Sequence, residues 1–573
     1  MPFDLSLSPL GPEPMFDVYF QGLTQGADQY RIFTPGWLGA EGAEETHHLN
    51  QTPISMAPSI GNGTVVEGSL GSDDVHGRRS FAAASEPAES VHTLASYDKP
   101  DLFSIDIPPA IAEHLLELYF QKIQPALPLL HRPRFLASLP AAGQVEHQRY
   151  QNLDLESALL LNGIFALAAR FSEKTDFWTC EPKMRGEAFA KKAQALCDLG
   201  SRDEDEDHLT MKYLHGCILL TYYQLSSRPS FRAWVDRDSE SLPPDAQISV
   251  EDWCDKEERR RAWWVIFQMD NFASVIGARP FSLDMKRSDV WLPVSDEAWF
   301  DLRPVGSAPI SSKGPAAAWR SLLDTENKDA YAWYLVGNFL LRSAQEEFEK
   351  RDRSLGNLKI LQSAIHCFCL SLPPNLRMKS KNLDFAENSF RDKNWIIAMH
   401  FIIHSNNIIV NLGLYAEGLK NQGSIMSDVS PVQDESTSLE MSAGSPAQQC
   451  GKVLRDQISV VRMWTPDFIA LASPFITAAI VGPAAAHSAD RSLLESDVRD
   501  EALAALDGNL LDLVLRRFSE YWGIGQFCLD LLQVLDTAEP LEALKLKGYP
   551  STWVQSILKR AQFLKSGSSR HVT

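Results

Sequence analysis

Leu155-Glu156-Ser157-Ala158-Leu159-Leu160-Leu161-Asn162-Gly163-Ile164-Phe165-Ala166-Leu167-Ala168-Ala169-Arg170-Phe171 is the stretch from which the fold is read. Its apolar residues surround a helix instead of following one face, and a helix apolar almost all round belongs at the centre of a core. A core helix of this kind needs helices around it, and the flanking sequence supplies them. Upstream, Asp106 can cap, Pro108 and Pro109 suit a first turn, and Ile111, Leu115, Leu118, Tyr119 and Ile123 share one helical face until Pro125 ends it. Downstream, helical patterns run over about 184–199, 207–225, 255–276, 327–351, 355–371, 390–421, 450–464, 467–487, 495–520 and 522–536. Asp255 and Glu258 have capping-box spacing at the start of one of these, which stops at Gly277 with Pro280 beyond. Alternating strand patterns are nearly absent, and no fixed-period repeat supports a solenoid. The expected fold is all-α, one large multi-helical body.

The domain division follows composition. Residues 1–104 are expected to be a disordered acidic arm: the first hundred hold four basic residues (Arg31, Arg78, Arg79, Lys99) against thirteen acidic ones, without a sustained apolar period. A short aromatic island, Met15-Phe16-Asp17-Val18-Tyr19-Phe20, lies inside it. Residues 105–422 and 450–566 read as two parts of the helical body, separated by a Ser-, Gly- and Pro-containing flexible insertion at 423–449.

At 573 residues, 44% hydrophobic and 22% charged, the chain can bury a large core without disulfide or metal staples. Its net charge of −20 excludes a protein that grips nucleic acid over much of its surface, because phosphate neutralisation needs clustered Lys and Arg. The eight cysteines are Cys180, Cys197, Cys217, Cys254, Cys367, Cys369, Cys450 and Cys528, scattered in a chain with no leader pattern at its start, which is reduced, intracellular usage. The Asn50 and Asn62 sequons are then chance matches. Phe468 to Ala486 is uncharged over nearly a bilayer's width, yet Pro474 and Pro483 divide it, so a pair of buried helices is expected and no membrane partner.

Specific strings carry more than periodicity does. Tyr119-Phe120 followed by Pro125-Ala126-Leu127-Pro128-Leu129-Leu130-His131-Arg132-Pro133-Arg134-Phe135, the Leu159–Phe171 string, and Glu257-Glu258-Arg259-Arg260-Arg261-Ala262-Trp263-Trp264-Val265-Ile266-Phe267 leading to Asp270, Ser274, Gly277, Arg279 and Pro280 occur in order. Leu292-Pro293 and Leu372-Pro373 follow. Together they resemble the regulatory middle homology domain of fungal binuclear zinc-cluster transcription factors, over about residues 107–540. The resemblance implies an all-helical regulatory domain of a nuclear transcription factor, often of a metabolic or secondary-metabolite gene set. Two departures stand out. Family members carry six tightly spaced cysteines holding two zinc ions, whereas the first cysteine here is Cys180, so the zinc-cluster head is expected to be absent from this chain. Ser230-Phe231-Arg232-Ala233-Trp234-Val235 resembles the start of a longer family helix but runs at once into Asp236-Arg237-Asp238-Ser239-Glu240.

Chemical constellations read as bland. His366-Cys367-Phe368-Cys369 lies on an apolar helix, where adjacent side chains point about 100° apart and cannot converge on zinc. His400 and His404 share a face, but Phe401 stands where a metalloprotease places its general base. Asp203-Glu204-Asp205-Glu206-Asp207 resembles a magnesium-binding cluster of a helical prenyl or terpene enzyme, but it precedes a helix whose dipole favours negative charge, and no second motif follows. No phosphate loop, nucleophile elbow or kinase signature occurs. Lys256 and Arg259-Arg260-Arg261 are interleaved with Glu257 and Glu258, pointing to pairing on the helix surface, and Arg377-Met378-Lys379-Ser380-Lys381 is a nuclear-import candidate.

The reading is a nuclear transcription regulator of the fungal zinc-cluster type: not an enzyme, with no catalytic, cofactor-binding or metal residues and no cofactor on this chain, zinc being expected only where the cysteine cluster is carried. Expected partners are DNA, reached indirectly or through a missing N-terminal module, transcription coactivators, and a homo- or heterodimer subunit. The alternatives are an all-α magnesium-dependent enzyme of prenyl or terpene type and a cytosolic helical ligand-sensing scaffold.

Overall fold

Asp154 starts the central helix of the computed structural model: its Oδ1 accepts from the Ser157 amide at 2.7 Å, satisfying one of the donors left open at a helix N-terminus. The structure describes residues 102–537, apart from 140–149, 175–177, 201–209, 228–248, 278, 286–288, 312, 379–382, 426–445, 482–483 and 485–500. The expected N-terminal arm up to residue 101, the acidic run 203–207, the 230–240 departure and most of the 423–449 insertion lie outside the described residues.

The helices are α1 Pro109–Leu118, α2 Arg132–Ser138, α3 Leu155–Ala168, α4 Glu187–Gly200, α5 Met211–Ser227, α6 Val250–Gly277, α7 Asp296–Phe300, α8 Arg320–Leu323, α9 Ala330–Glu349, α10 Leu355–Ser371, α11 Phe390–Ile425, α12 Pro446–Arg462, α13 Pro466–Ile469, α14 Glu501–Tyr521 and α15 Gly523–Thr537. Among the described residues there is no strand, only the isolated bridge Trp291–Pro309. The expected all-α class is what the structure shows.

Every residue of α3 from Ala158 to Ala168 is buried, as its all-round apolar surface requires. It packs against α1, α4 and α5. The α3–α5 approach is close because a glycine lies on each side of it: a Cβ on Gly163 would stand 2.9 Å from Leu219 Cβ, and one on Gly216 would stand 2.5 Å from Leu159 Cγ. Further along, α9, α10 and α12 all pack on α11. The C-terminal pair α14 and α15 closes the body, with α14 against α12 and α15 returning to α5. Four buried indoles tie distant segments by donating to carbonyl oxygens: Trp395 to Pro125 O at 3.0 Å, Trp264 to Trp291 O at 2.7 Å, Trp522 to Ala470 O at 2.8 Å and Trp464 to Asn394 Oδ1 at 2.9 Å.

One helix start differs from its expectation. The helix expected to begin at Asp255 begins at Val250, where Ser249 Oγ accepts from the Asp252 amide at 3.0 Å. Asp255 and Glu258 are thereby moved into the helix interior, free to pair with other elements. The 467–487 stretch, expected as a pair of buried helices divided by its prolines, consists of α13, a 3-10 turn at Pro474–Ile476 and helical residues 477–481, with Pro466 and Pro474 each standing at the start of a piece. A stretch of α11, Phe390–Leu414, is the one described segment long and apolar enough to cross a membrane by length and composition, and 67% of its most apolar window is buried inside the protein. That is the pattern of a core helix surrounded by its own neighbours.

Candidate functional site

Two of the strings that carry the family resemblance, 125–135 and 257–280, meet at two buried ionic clamps along α6. The first is centred on Arg261 and Glu257, both 0% exposed at the side chain. Their i,i+4 spacing is the one expected, but the pair lies in the interior instead of on the helix surface. The reason is that both side chains satisfy a loop. Arg261 Nε donates to Glu257 Oε1 at 3.0 Å, Nη2 to Val294 O at 2.6 Å, and Nη1 to Pro128 O at 3.3 Å and to Asp296 Oδ1. Glu257 Oε1 in turn accepts from the Val294 amide at 2.9 Å, and Oε2 from Arg260 at 2.5 Å. The guanidinium stacks over Trp299 at 4.1 Å. A lysine could not reach this many acceptors at once, because the planar fork supplies five fixed donors.

Asp296 links this clamp to α11. It faces Arg391 Nε at 3.2 Å, and Arg391 Nη1 reaches Asp329 Oδ2 at 3.0 Å, while Asp329 Oδ1 caps α9 through the Tyr331 amide at 3.0 Å. Burial alone would raise the Asp296 carboxyl, but Arg391 and Arg261 hold it below its ordinary value. Arg391 is likewise held well up by Asp296, Asp329 and Asp392 against the downward pull of its own burial.

His131 closes the node from the start of α2. Its Nδ1 accepts from the Arg134 amide at 3.2 Å, capping that helix, and its Nε2 reaches Trp299 O at 3.0 Å, so the ring serves as a neutral tautomer with an Nε2 proton. Burial lowers its pKa in the same sense. The ring meets Trp299 edge-on at 4.9 Å. The 125–130 turn is pinned by Gln124, whose side-chain amide donates to Leu130 O at 3.0 Å and accepts from Leu130 N at 3.2 Å.

The second clamp lies further along the same helix, at Asp270. Its carboxylate accepts from the Ser282 amide at 3.0 Å and the Leu283 amide at 3.2 Å, and stands 3.5 Å from both Arg279 and Arg342. Arg342, on α9, also donates to Leu283 O and stacks over Phe281 at 4.3 Å. The turn after α6 is thereby tied to α9. Asp270, Ser274, Arg279 and Pro280 all belong to it, Ser274 Oγ lying 3.3 Å from Pro280 O.

Beside the first clamp, Glu258 lies 3.6 Å from His215 Nδ1 on α5. Burial pushes Glu258 up to about 7, against the pull of Arg134, which itself pairs with Asp255. Burial takes His215 down to about 4.

The metal candidates picked out by residue spacing do not come together. His366 and Cys367 are exposed while Cys369 is half-buried, so they diverge around α10 as helical geometry demands. His400 and His404 do share a face of α11, where His400 Nε2 reaches Leu376 O at 3.0 Å and burial takes His404 down to about 3. Among the described residues no group of three or more His, Cys, Asp or Glu side chains could hold a metal ion. Arg377 caps α10 by donating to Leu372 O at 2.6 Å and Leu370 O at 2.9 Å, and Lys379 to Lys381 lie outside the described residues. The carboxylates of the clamps accept from backbone amides and face the arginines, an arrangement that holds loops to helices.

The family profile of the fungal specific transcription factor domain matches residues 116–391. The chain is 24% identical over 208 residues to the ascochitine biosynthesis cluster transcriptional regulator of Didymella fabae, 34% of each chain being covered. It is 25% identical over 182 residues to the tropolone cluster transcription factor tropK of Talaromyces stipitatus, covering 30% of each. With the Zn(2)-C6 fungal-type transcription factor FTF1c of Fusarium oxysporum f. sp. lycopersici it is 28% identical over 337 residues, which is 52% of this chain and 34% of that one. The chain thus spans about a third of the length of these curated relatives. No solved structure matches it. Both clamps draw their core residues from 116–391, the stretch that matches the fungal specific transcription factor domain.

Proposed function

We propose that this chain is a nuclear transcription regulator of the fungal zinc-cluster type, controlling a metabolic or secondary-metabolite gene set through its helical domain. The observation that carries the reading is the colinear family match over 116–391, a stretch that includes Glu257, Arg261 and Asp270 at the centres of the two clamps. Relatives named as regulators of the ascochitine and tropolone clusters support the gene-set assignment. DNA is then reached through a cysteine-cluster module or a DNA-bound partner subunit, homodimeric or heterodimeric, and coactivators dock on the assembly. The domain acts by presenting surfaces on a rigid frame and needs no catalytic turnover. The clamps contribute the frame: they fix the 125–134 turn, the 292–296 loop, α9 and α11 to one long helix.

Transcript profiling of a strain lacking the gene against its parent tests this reading. The expected result is a coordinated change confined to one set of neighbouring genes, together with nuclear accumulation of the tagged full chain. An unchanged transcript profile with the tagged chain excluded from nuclei in every growth condition contradicts it.

A further inference from the structure

Cys197 on α4 and Cys217 on α5 have their sulfurs 3.6 Å apart, and both side chains are buried. Their meeting is fixed by the packing of two antiparallel helices. On one side, the Tyr213 hydroxyl donates to Cys197 O at 3.1 Å, and its ring lies so close to Gly200 that a Cβ there would stand 2.6 Å from it. On the other, Gln224 donates to Gln194 Oε1 at 2.6 Å. The pairs 200/213, 197/217 and 194/224 are successive rungs of one interface, with the thiols in the middle. Gly216, beside Cys217, is pressed against Leu159 of α3, so α5 has no room to rotate the thiol away.

We propose that Cys197 and Cys217 are a site of reversible oxidation to an intramolecular disulfide, with a hydroperoxide as the oxidant. One thiol sulfur attacks the peroxide, the O–O bond breaks, and a sulfenic acid forms with release of one water. The second sulfur attacks that sulfenic sulfur, the S–O bond breaks, and the departing hydroxide takes the second thiol proton as a further water. Two thiols and one hydrogen peroxide thus give one disulfide and two waters. A dithiol reverses the step by exchange.

The environment sets the rate. The hydrogen bond with Cys197 and burial both push the Cys217 thiol well up, so the reactive thiolate is scarce in the closed fold. Oxidation then proceeds through transient opening of the α4–α5 interface, slower than at the exposed Cys180 and Cys367. Once one sulfur is oxidised, reclosure places the other against it. The link joins residues 20 apart and restricts the unfolded chain, so the oxidised protein is expected to melt a few degrees higher.

The test is hydrogen peroxide treatment of the full chain, alkylation of remaining thiols, and peptide mapping by mass spectrometry. The expected result is a Cys197–Cys217 linked peptide, two hydrogens lighter than its parts, cleaved by dithiothreitol and accompanied by the upward melting shift. Cys217→Ser and Cys197→Ser each abolish the linked peptide and the shift, and the wild-type map stands even if a variant folds poorly. The proposal is overturned if Cys180 and Cys367 oxidise completely while 197 and 217 remain separate. It is also overturned if either cysteine links to other cysteines as often as to its neighbour, or if the linked product melts below the reduced protein.

Discussion

Replacing Arg261 by Leu removes the one side chain that joins Glu257, Asp296, Val294 and Pro128. Breaking a buried ion pair from one side costs about 3–5 kcal/mol, because the remaining charge stays buried without its partner. Two neighbours soften the loss here: Glu257 keeps Arg260 at 2.5 Å, and Asp296 keeps Arg391 at 3.2 Å. Against that, the Val294 and Pro128 carbonyls lose donors, at about 1–3 kcal/mol for each buried group left unsatisfied. The expected net destabilisation is therefore about 3–4 kcal/mol, read as a shift in urea unfolding followed by tryptophan fluorescence. Arg261→Lys keeps the charge and loses the fork, and should recover less than half. Pairing Arg261→Leu with Glu257→Leu removes the stranded carboxylate and should be less harmful than Arg261→Leu alone. Arg259, exposed two residues before it, is the control: Arg259→Leu should stay within about 0.5 kcal/mol. If Arg261→Leu also lies within about 1 kcal/mol of the parent, the clamp does not hold the fold as described.

Further outcomes follow from other residues. Glu258, raised to about 7, contributes stability that is full below the ordinary carboxylate range and is lost as pH rises through 7. With its side chain 26% exposed, the loss across that window should be about 2 kcal/mol, and Glu258→Gln should flatten a pH–stability profile between pH ~4.5 and ~8. Gly523→Ala should destabilise by at least about 2 kcal/mol in thermal melts, since its Cβ would stand 2.0 Å from Ser227 O, whereas Gly356→Ala, with 3.6 Å to its nearest neighbour, should be neutral. Asp270→Asn should cost about 2–4 kcal/mol in urea unfolding, because a neutral amide leaves Arg342 and Arg279 facing no charge at that point and offers a donor to the Ser282 and Leu283 amides.

The helical frame was legible because its signals are local. The all-round apolar α3, the Ser354-capped α10 and the long α11 begin within a residue of where periodicity puts them. Short elements were not: α2 and α7 are seven and five residues long, too short for a helical period to show, although Pro133 and Ser295 stand at their starts. The clamps were half legible. Spacing identifies the Glu257–Arg261 pair, but its burial is decided by the 292–296 loop, which folds back from more than thirty residues away. A local clue existed: Glu257, Arg261, Trp264 and Gln268 share one face of α6, and the aromatic and amide members are buried with the charged ones. The Cys197–Cys217 contact had no sequence signal, since it arises from the register of α4 on α5.

The central proposal is that residues 116–391, the stretch matching the family profile, act on transcription from a clamped frame. The most direct measurement of this is reporter output when the full chain is fused to an unrelated DNA-binding module and tethered upstream of a promoter. The expected result is a change in transcription that Arg261→Leu abolishes and Arg259→Leu preserves, at equal nuclear abundance. Tethered protein that is folded and abundant in the nucleus yet leaves the reporter unchanged would contradict it.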